Sequence, residues 1–285
     1  IVSIITPIGI DHVHWLGKTK KSIAREKAGI IHQGSDVVMA HQPPSVRKVL
    51  VDRIARTESY LVEEGIDFKI RRKKCTPQGS VFNYISSILP LPAVQISLLG
   101  RHQCKNAALA IAGVNCLRGR GYEIGSQAIR TGTATVLWPG RLQSLMILNR
   151  ATSRRRQVIL DGAHNLLSIN AVVKSIQETF PDIAVQVILA LARDKDYKRI
   201  IHSLLALSDR FVITDFASPR AMDPQELVPF FPENCTVSVQ KEPIQAFKKV
   251  FTSIQADQII LMTGSLYLVG NMLATLENSR EFQIL

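Results

Sequence analysis

Val158-Ile159-Leu160-Asp161-Gly162-Ala163-His164-Asn165 reads as a buried strand that stops on a carboxylate, turns through two small residues and enters a helix. A short run of aliphatic residues with no polar alternation is what a strand covered on both faces requires, and parallel sheets are covered in that way. Working toward the C-terminus, the same rhythm repeats. A helix is predicted over 168–180, a strand over 184–191, a helix over 197–207 and a strand over 210–214. After a proline-containing loop come a strand over 235–239, a helix over 243–253, a strand over 258–262 and a closing helix over 266–276. Strands separated by helices predict an α/β fold with an open, doubly wound parallel sheet.

Toward the N-terminus the pattern is less uniform. A strand over 1–10 runs into Gly9, a helix over 18–28 meets Gly29 as its stop, and a strand follows over 35–40. Pro43-Pro44 opens a helix that runs to about residue 56, proline being favoured in a first helical turn. Strands are expected at 66–70, 80–84 and 94–99, then an alanine-rich helix over 102–117 and another over 122–133. Trp138-Pro139-Gly140-Arg141 places two chain breakers beside an arginine. A domain boundary is placed there, giving domains 1–138 and 139–285. No internal repeat or low-complexity segment is visible.

The 285 residues suffice for one large domain or two ordinary ones, and 46% hydrophobic against 20% charged residues allows a substantial core. No apolar run approaches the ~20 residues that cross a bilayer, and the apolar start lacks a basic leader and a cleavage site. No membrane partner is expected. Cys75, Cys104, Cys116 and Cys235 have no metal-finger spacing and read as reduced thiols of a cytoplasmic protein. The net charge of +12 admits nucleic acid, an anionic membrane or an anionic substrate as partner. Its clusters, Arg71-Arg72-Lys73-Lys74 and Arg154-Arg155-Arg156, are short and lack interleaved aromatics. They read as solvated loops flanking strands, and no nucleic acid partner is expected.

Four polar clusters fall where strands end. Gly9-Ile10-Asp11-His12 offers a histidine that could ligate a divalent metal, shuttle protons or act as a structural hydrogen-bonder. Lys27 follows on a helix among apolar neighbours that could confine its ammonium; a solvated lysine is the other reading. His102-Gln103 and Asn106 open an apolar helix, as ligand groups or as ordinary caps. Asp161 could accept from ribose hydroxyls, with His164 and Asn165 facing the ligand, or it could form an Asx-turn with a capping asparagine. Thr263-Gly264-Ser265-Leu266-Tyr267 permits close approach to the backbone, or is a tight strand-to-helix turn. There is no phosphate-loop motif, no dinucleotide glycine fingerprint and no nucleophile elbow.

Eight stretches in order carry a resemblance: Ile8-Gly9-Ile10-Asp11-His12; Glu26-Lys27-Ala28-Gly29-Ile30-Ile31; Gly100-Arg101-His102-Gln103 with Asn106-Ala107-Ala108; Trp138-Pro139-Gly140-Arg141-Leu142; Leu160-Asp161-Gly162-Ala163-His164-Asn165; Asp194-Lys195-Asp196; Pro219-Arg220-Ala221; and Thr263 to Gly270. Together they resemble the folylpolyglutamate synthase/dihydrofolate synthase family of the Mur ligase superfamily. The resemblance implies the later part of a P-loop-type central domain followed by a Rossmann-like C-terminal domain. It also implies an ATP-dependent ligase that joins L-glutamate to dihydropteroate or a reduced folate through an acyl phosphate. By family pattern His12 is a Mg²⁺ ligand and Lys27 the lysine that is carbamylated, both at the catalytic metal. Asn106 and Arg141 contact ATP and Asp161 its ribose, while His164 and Ser265 lie near the incoming glutamate. Asp194-Lys195-Asp196 matches the pattern without an assigned role. The expected state is a monomer.

Members of that family begin with a phosphate loop, a substrate loop and a glutamate metal ligand, none of which precedes residue 1. The chain is therefore expected to be a truncated form without appreciable ligase activity. Two other readings stay open, a muropeptide ligase of the same superfamily and a non-catalytic binding module that uses residues 142–285. The sequence does not separate dihydrofolate synthase from folylpolyglutamate synthase activity.

Overall fold

The computed structural model describes residues 1–10 and 19–285, in two compact units. The first comprises Ile1–Ser97 and Arg101–Val136, the second Leu98–Gly100 and Leu137–Leu285.

In the first unit, β1 (Val2–Ile5), α1 (Lys20–Lys27), β2 (Asp36–Met39), α2 (Pro44–Arg56) and β3 (Tyr60–Glu63) form a parallel sheet of order β1-β2-β3 with crossover helices. Thr19 caps α1, exchanging hydrogen bonds with Ser22 in a capping box. Val46, Leu50 and Ile54 recur every fourth residue, so one face of α2 closes over Val37 and Met39 of β2. Gly29 does not end α1 by itself, because a 3₁₀ turn over Ala28–Ile30 continues the coil. The strand at β3 is not legible in the sequence because it ends on a charged residue. Glu63 is buried there and accepts two bonds from Arg47, at 2.8 Å each.

An antiparallel sheet follows, with β4 (Phe68–Thr76), β5 (Gly79–Ser86) and β6 (Leu91–Ile96) in that order, then α3 (Arg101–Gly119) and α4 (Ser126–Thr135). The basic run 71–74 lies inside β4, an edge strand with a bulge between Arg72 and Lys74, and not in a loop as its charge suggests.

The second unit holds a seven-stranded sheet. Its elements are β7 (Gln143–Asn149), β8 (Arg155–Asp161), α5 (Leu166–Thr179), β9 (Val185–Leu189), α6 (Tyr197–Leu204), β10 (Arg210–Ile213), α7 (Pro224–Leu227), β11 (Thr236–Val239), α8 (Pro243–Ser253), β12 (Ile259–Thr263), α9 (Leu266–Glu277) and β13 (Phe282–Ile284). The order is β11-β10-β9-β12-β8-β7-β13. The first five strands are parallel, and β7 and β13 add an antiparallel edge absent from the sequence reading.

Alternate residues of the central strands feed two cores. Ile159, Val187, Leu189, Ile259 and Leu261 pack with Ile169, Val172 and Ile176 of α5 and Ile200, Ile201 and Leu204 of α6. Val158, Leu160, Ile188, Ile260 and Met262 pack with Phe247, Val250 and Phe251 of α8 and Leu268, Val269 and Met272 of α9. Both faces are therefore apolar over Val158–Leu160, Val187–Leu189 and Ile259–Met262, which is why these stretches read as unbroken hydrophobic runs. The 154–156 basic cluster also departs from a solvated loop. Arg156 is buried in β8, donates to the Ile254 carbonyl just past α8 and lies 5.8 Å from the Phe251 ring centre.

Candidate functional site

In an open α/β sheet, polar groups gather beyond the carboxyl ends of the strands. Here β8 and β12 are neighbours with Asp161 opposite Thr263, and β9 lies on the other side of β12. The loops after β8 and β12 are tied together, since the Ala163 carbonyl accepts from Gly264 N at 2.9 Å and from Thr263 Oγ1 at 3.5 Å. Gly264 has φ +103°, and an added Cβ would stand 2.2 Å from the Ala190 carbonyl oxygen. Glycine is required there on both counts.

Asp161 is 3% exposed. Its Oδ2 accepts from Leu142 N and its Oδ1 from Ala163 N, each at 2.7 Å. Burial pushes its pKa up to about 6, against the opposing pull of those two N–H groups and of the Arg141 and His164 charges. The Ala163 bond is the Asx-turn that the sequence left open, and Asn165 caps α5 in a capping box with Ser168. His164 is half-buried, with Nδ1 2.9 Å from the Gly162 carbonyl. A carbonyl only accepts, which assigns the proton to Nδ1 and makes Nε2 the acceptor of the neutral ring. Ser265 is the N-cap of α9, its Oγ accepting from Tyr267 N at 3.2 Å and Leu268 N at 3.5 Å. The N-termini of α5 and α9 thus both start beside the joined loops, and two helix N-termini favour an anion.

Arg141 is half-buried in a turn fastened to the same segment, with Gly162 N donating to the Gly140 carbonyl at 2.9 Å. After β9, Asp194 accepts two bonds from Arg220, both 3.0 Å, and lies 3.8 Å from the buried Lys195 ammonium. Burial disfavours the Asp194 anion, but the Arg220 bond and the Lys195 and Arg220 charges outweigh it and lower its pKa. Pro219-Arg220-Ala221 was noted only as a matching stretch; its pairing with Asp194 gives both stretches a common place. Phe216 stacks on the exposed Tyr267, ring centres 6.1 Å apart and planes 3° from parallel. Nothing in the sequence marks that pair, because Phe216 lies in the loop after β10 and Tyr267 in the first turn of α9, fifty-one positions away.

The first unit carries the other candidates. His12 lies outside the described residues. Lys27 sits in the last turn of α1 and is exposed, so its ammonium is not confined by its apolar neighbours. A cation there is favoured by the helix C-terminus. Asn106 is exposed in the second turn of α3 and donates to Gln103 Oε1 at 3.1 Å. Among the described residues no group of three or more His, Cys, Asp or Glu could hold a metal ion. Among them, too, no helix is long and apolar enough to cross a membrane.

The family pattern of the dihydrofolate synthetase C-terminal domain matches residues 143–275. A dihydrofolate synthase/folylpolyglutamate synthase of Bacillus subtilis is 28% identical over 273 residues, covering 95% of this chain and 62% of that protein. One of Mycobacterium tuberculosis is 32% identical over 234 residues, covering 79% and 47%. The chain thus spans less than two thirds of these relatives. The Mycobacterium tuberculosis folylpolyglutamate synthase structure with ADP and AMPPCP superposes with a TM-score of 0.83 at 28% identity, covering 98% of this chain and 64% of that one. The Thermotoga maritima folylpolyglutamate synthase gives 0.78 at 25% identity, covering 98% and 61%.

Proposed function

The chain belongs to the folylpolyglutamate synthase/dihydrofolate synthase family, and from that membership we propose that it serves ATP-dependent addition of L-glutamate to dihydropteroate or a reduced folate. The observation that carries the reading is the meeting of Asp161, His164 and Ser265 on the joined loops after β8 and β12.

The acceptor's carboxylate oxygen attacks the γ-phosphorus of ATP, the bond to the β-phosphate oxygen breaks, and ADP leaves an acyl phosphate. The glutamate amine attacks the acyl carbon, the tetrahedral intermediate expels phosphate, and an amide remains. Both steps rest chiefly on positioning and charge stabilisation. Arg141 and Asn106 hold the nucleotide, and Asp161 stands on its ribose side with each carboxylate oxygen accepting from a backbone N–H. His164 Nε2 faces the glutamate amine and takes its proton, while the Ser265 hydroxyl donates to a glutamate carboxylate. That hydroxyl accepts from two backbone N–H groups, which leaves its own proton for an anion. Mg²⁺ supplies charge neutralisation of the phosphates when bound. His12 is its proposed ligand and Lys27, as a carbamate, its proposed organiser; the described residues form no metal site by themselves, and no role given above depends on one. The proposed setting is a cytoplasmic monomer, and all four cysteines are thiols, as a reducing compartment requires.

Nucleotide binding is tested on the 285 residues by thermal unfolding with and without ADP. A rise in Tm that Arg141→Ala diminishes is expected; no rise overturns this part. The acceptor is tested by joining the chain to the part of the Bacillus subtilis relative that it does not cover and measuring ADP release. Release that requires both L-glutamate and a pterin acceptor is expected, whereas release only with a UDP-muramyl acceptor would assign a muropeptide ligase instead.

A further inference from the structure

We propose that Asp161 is a positioning residue for Arg141, clasping the 140–142 turn in the left-handed form that presents the guanidinium. The proposal rests on the nucleotide role given to Arg141 above. The residues on either side of Arg141 both have positive φ, +69° at Gly140 and +44° at Leu142. For glycine that costs little, but for leucine it brings Cβ against the backbone, so something must hold it.

Two contacts do so. The Leu142 side chain is 2% exposed and packs in the core with Ile159, Leu189 and Leu261, while its N–H is bonded to Asp161 Oδ2 at 2.7 Å. On the other side of Arg141, the Gly140 carbonyl accepts from Gly162 N at 2.9 Å and Gly140 N donates to Gln143 Oε1 at 3.0 Å. Both neighbours of Arg141 are thereby fastened to the 161–162 segment or to the turn itself. The Arg141 side chain has no hydrogen bond or ion pair among the described residues. The turn is ordered by its flanks, and the guanidinium is what it displays.

The chemistry explains why a carboxylate stands at 161. Leu142 N–H and Ala163 N–H each need an acceptor, and the two oxygens supply one apiece. An asparagine of the same shape would satisfy one N–H and set its own NH₂ against the other. The groups facing the carboxylate are the Arg141 cation and the titratable His164 ring. Ribose contact alone would call for an accessible carboxylate, whereas this one is almost wholly enclosed.

The test compares the wild-type chain with Asp161→Asn, Arg141→Ala and the double variant, using ADP and 2′,3′-dideoxy-ADP as probes. Asp161→Asn keeps the volume of the side chain but sets an NH₂ against one buried N–H, so circular dichroism and Tm of each variant establish that it is folded before binding is read. Each single variant is expected to weaken ADP binding about tenfold, the scale of one charge-assisted hydrogen bond. The double variant is expected to lose no more, and the dideoxy probe to show the same loss. Additive losses, or a loss that disappears with the dideoxy probe, would overturn the proposal in favour of a direct ribose contact. If the wild-type chain binds no ADP, the nucleotide reading fails on its own account, and hydrogen exchange at the Leu142 amide judges the clasp. Protection that falls in Asp161→Asn but persists in Arg141→Ala supports it; unchanged protection in Asp161→Asn overturns it.

Discussion

The Asp161 carboxyl titrates near 6 in the folded chain and near 3.8 when unfolded, because burial opposes its charge. Between those values the unfolded chain has released a proton that the folded chain keeps, so this group's contribution favours folding at low pH and fades as pH rises through about 6. A shift of about two units corresponds to about 3 kcal/mol at most. Urea unfolding from pH 4 to pH 7 should therefore show wild-type stability declining relative to Asp161→Asn by up to that amount; parallel curves would contradict it. Gly264→Ala forces a side chain into positive φ against a carbonyl oxygen, and an order of 1–3 kcal/mol is expected from backbone strain alone. A fall in Tm of several degrees checks this. Both residues were visible in the sequence as parts of strand-end clusters. What the sequence could not supply was the partner: Leu142 lies nineteen positions from Asp161, and only folding reveals that they share a bond.

At the scale of elements, the strands and helices most legible in the sequence were those with the simplest packing. Helix α8 is found at the predicted residues because Pro243 opens it and Phe247, Val250 and Phe251 set its buried face. Strand β7 escaped because its apolar run, Leu145–Leu148, is only four residues long between polar ends, and a three-residue strand such as Phe282–Ile284 has too little pattern to read. Ser265 illustrates how one residue serves an element and a site together. As the cap of α9 its hydroxyl satisfies N–H groups of the first turn, so Ser265→Ala should cost about 1 kcal/mol of stability whatever happens to glutamate. Ser265→Asp should keep the cap but repel an anion. Chemical denaturation paired with glutamate binding by calorimetry separates the two effects; equal loss of binding and stability in both variants would leave the cap as the sole role.

Over the whole molecule, the second unit carries two cores on the faces of one sheet, which is the usual basis for independent folding. Residues 137–285 expressed alone should unfold in urea in a single cooperative transition, read identically by fluorescence and circular dichroism; non-coincident curves would show that the first unit is needed. The net charge of +12 invited thoughts of polyanions, yet its two densest runs have local explanations. Arg156 is spent on the carbonyl beyond α8, and Arg71 and Lys74 stand exposed along β4, the bulged outer strand of its sheet. An outer strand offers unpaired backbone groups to any other chain, and cationic side chains with a bulge discourage that pairing. Replacing Arg71 and Lys74 with threonine should therefore leave the native fold in place while lowering the protein concentration at which refolding turns cloudy. The positive run is then a safeguard for a crowded cell, keeping newly made copies of this chain from sticking to one another before they finish folding.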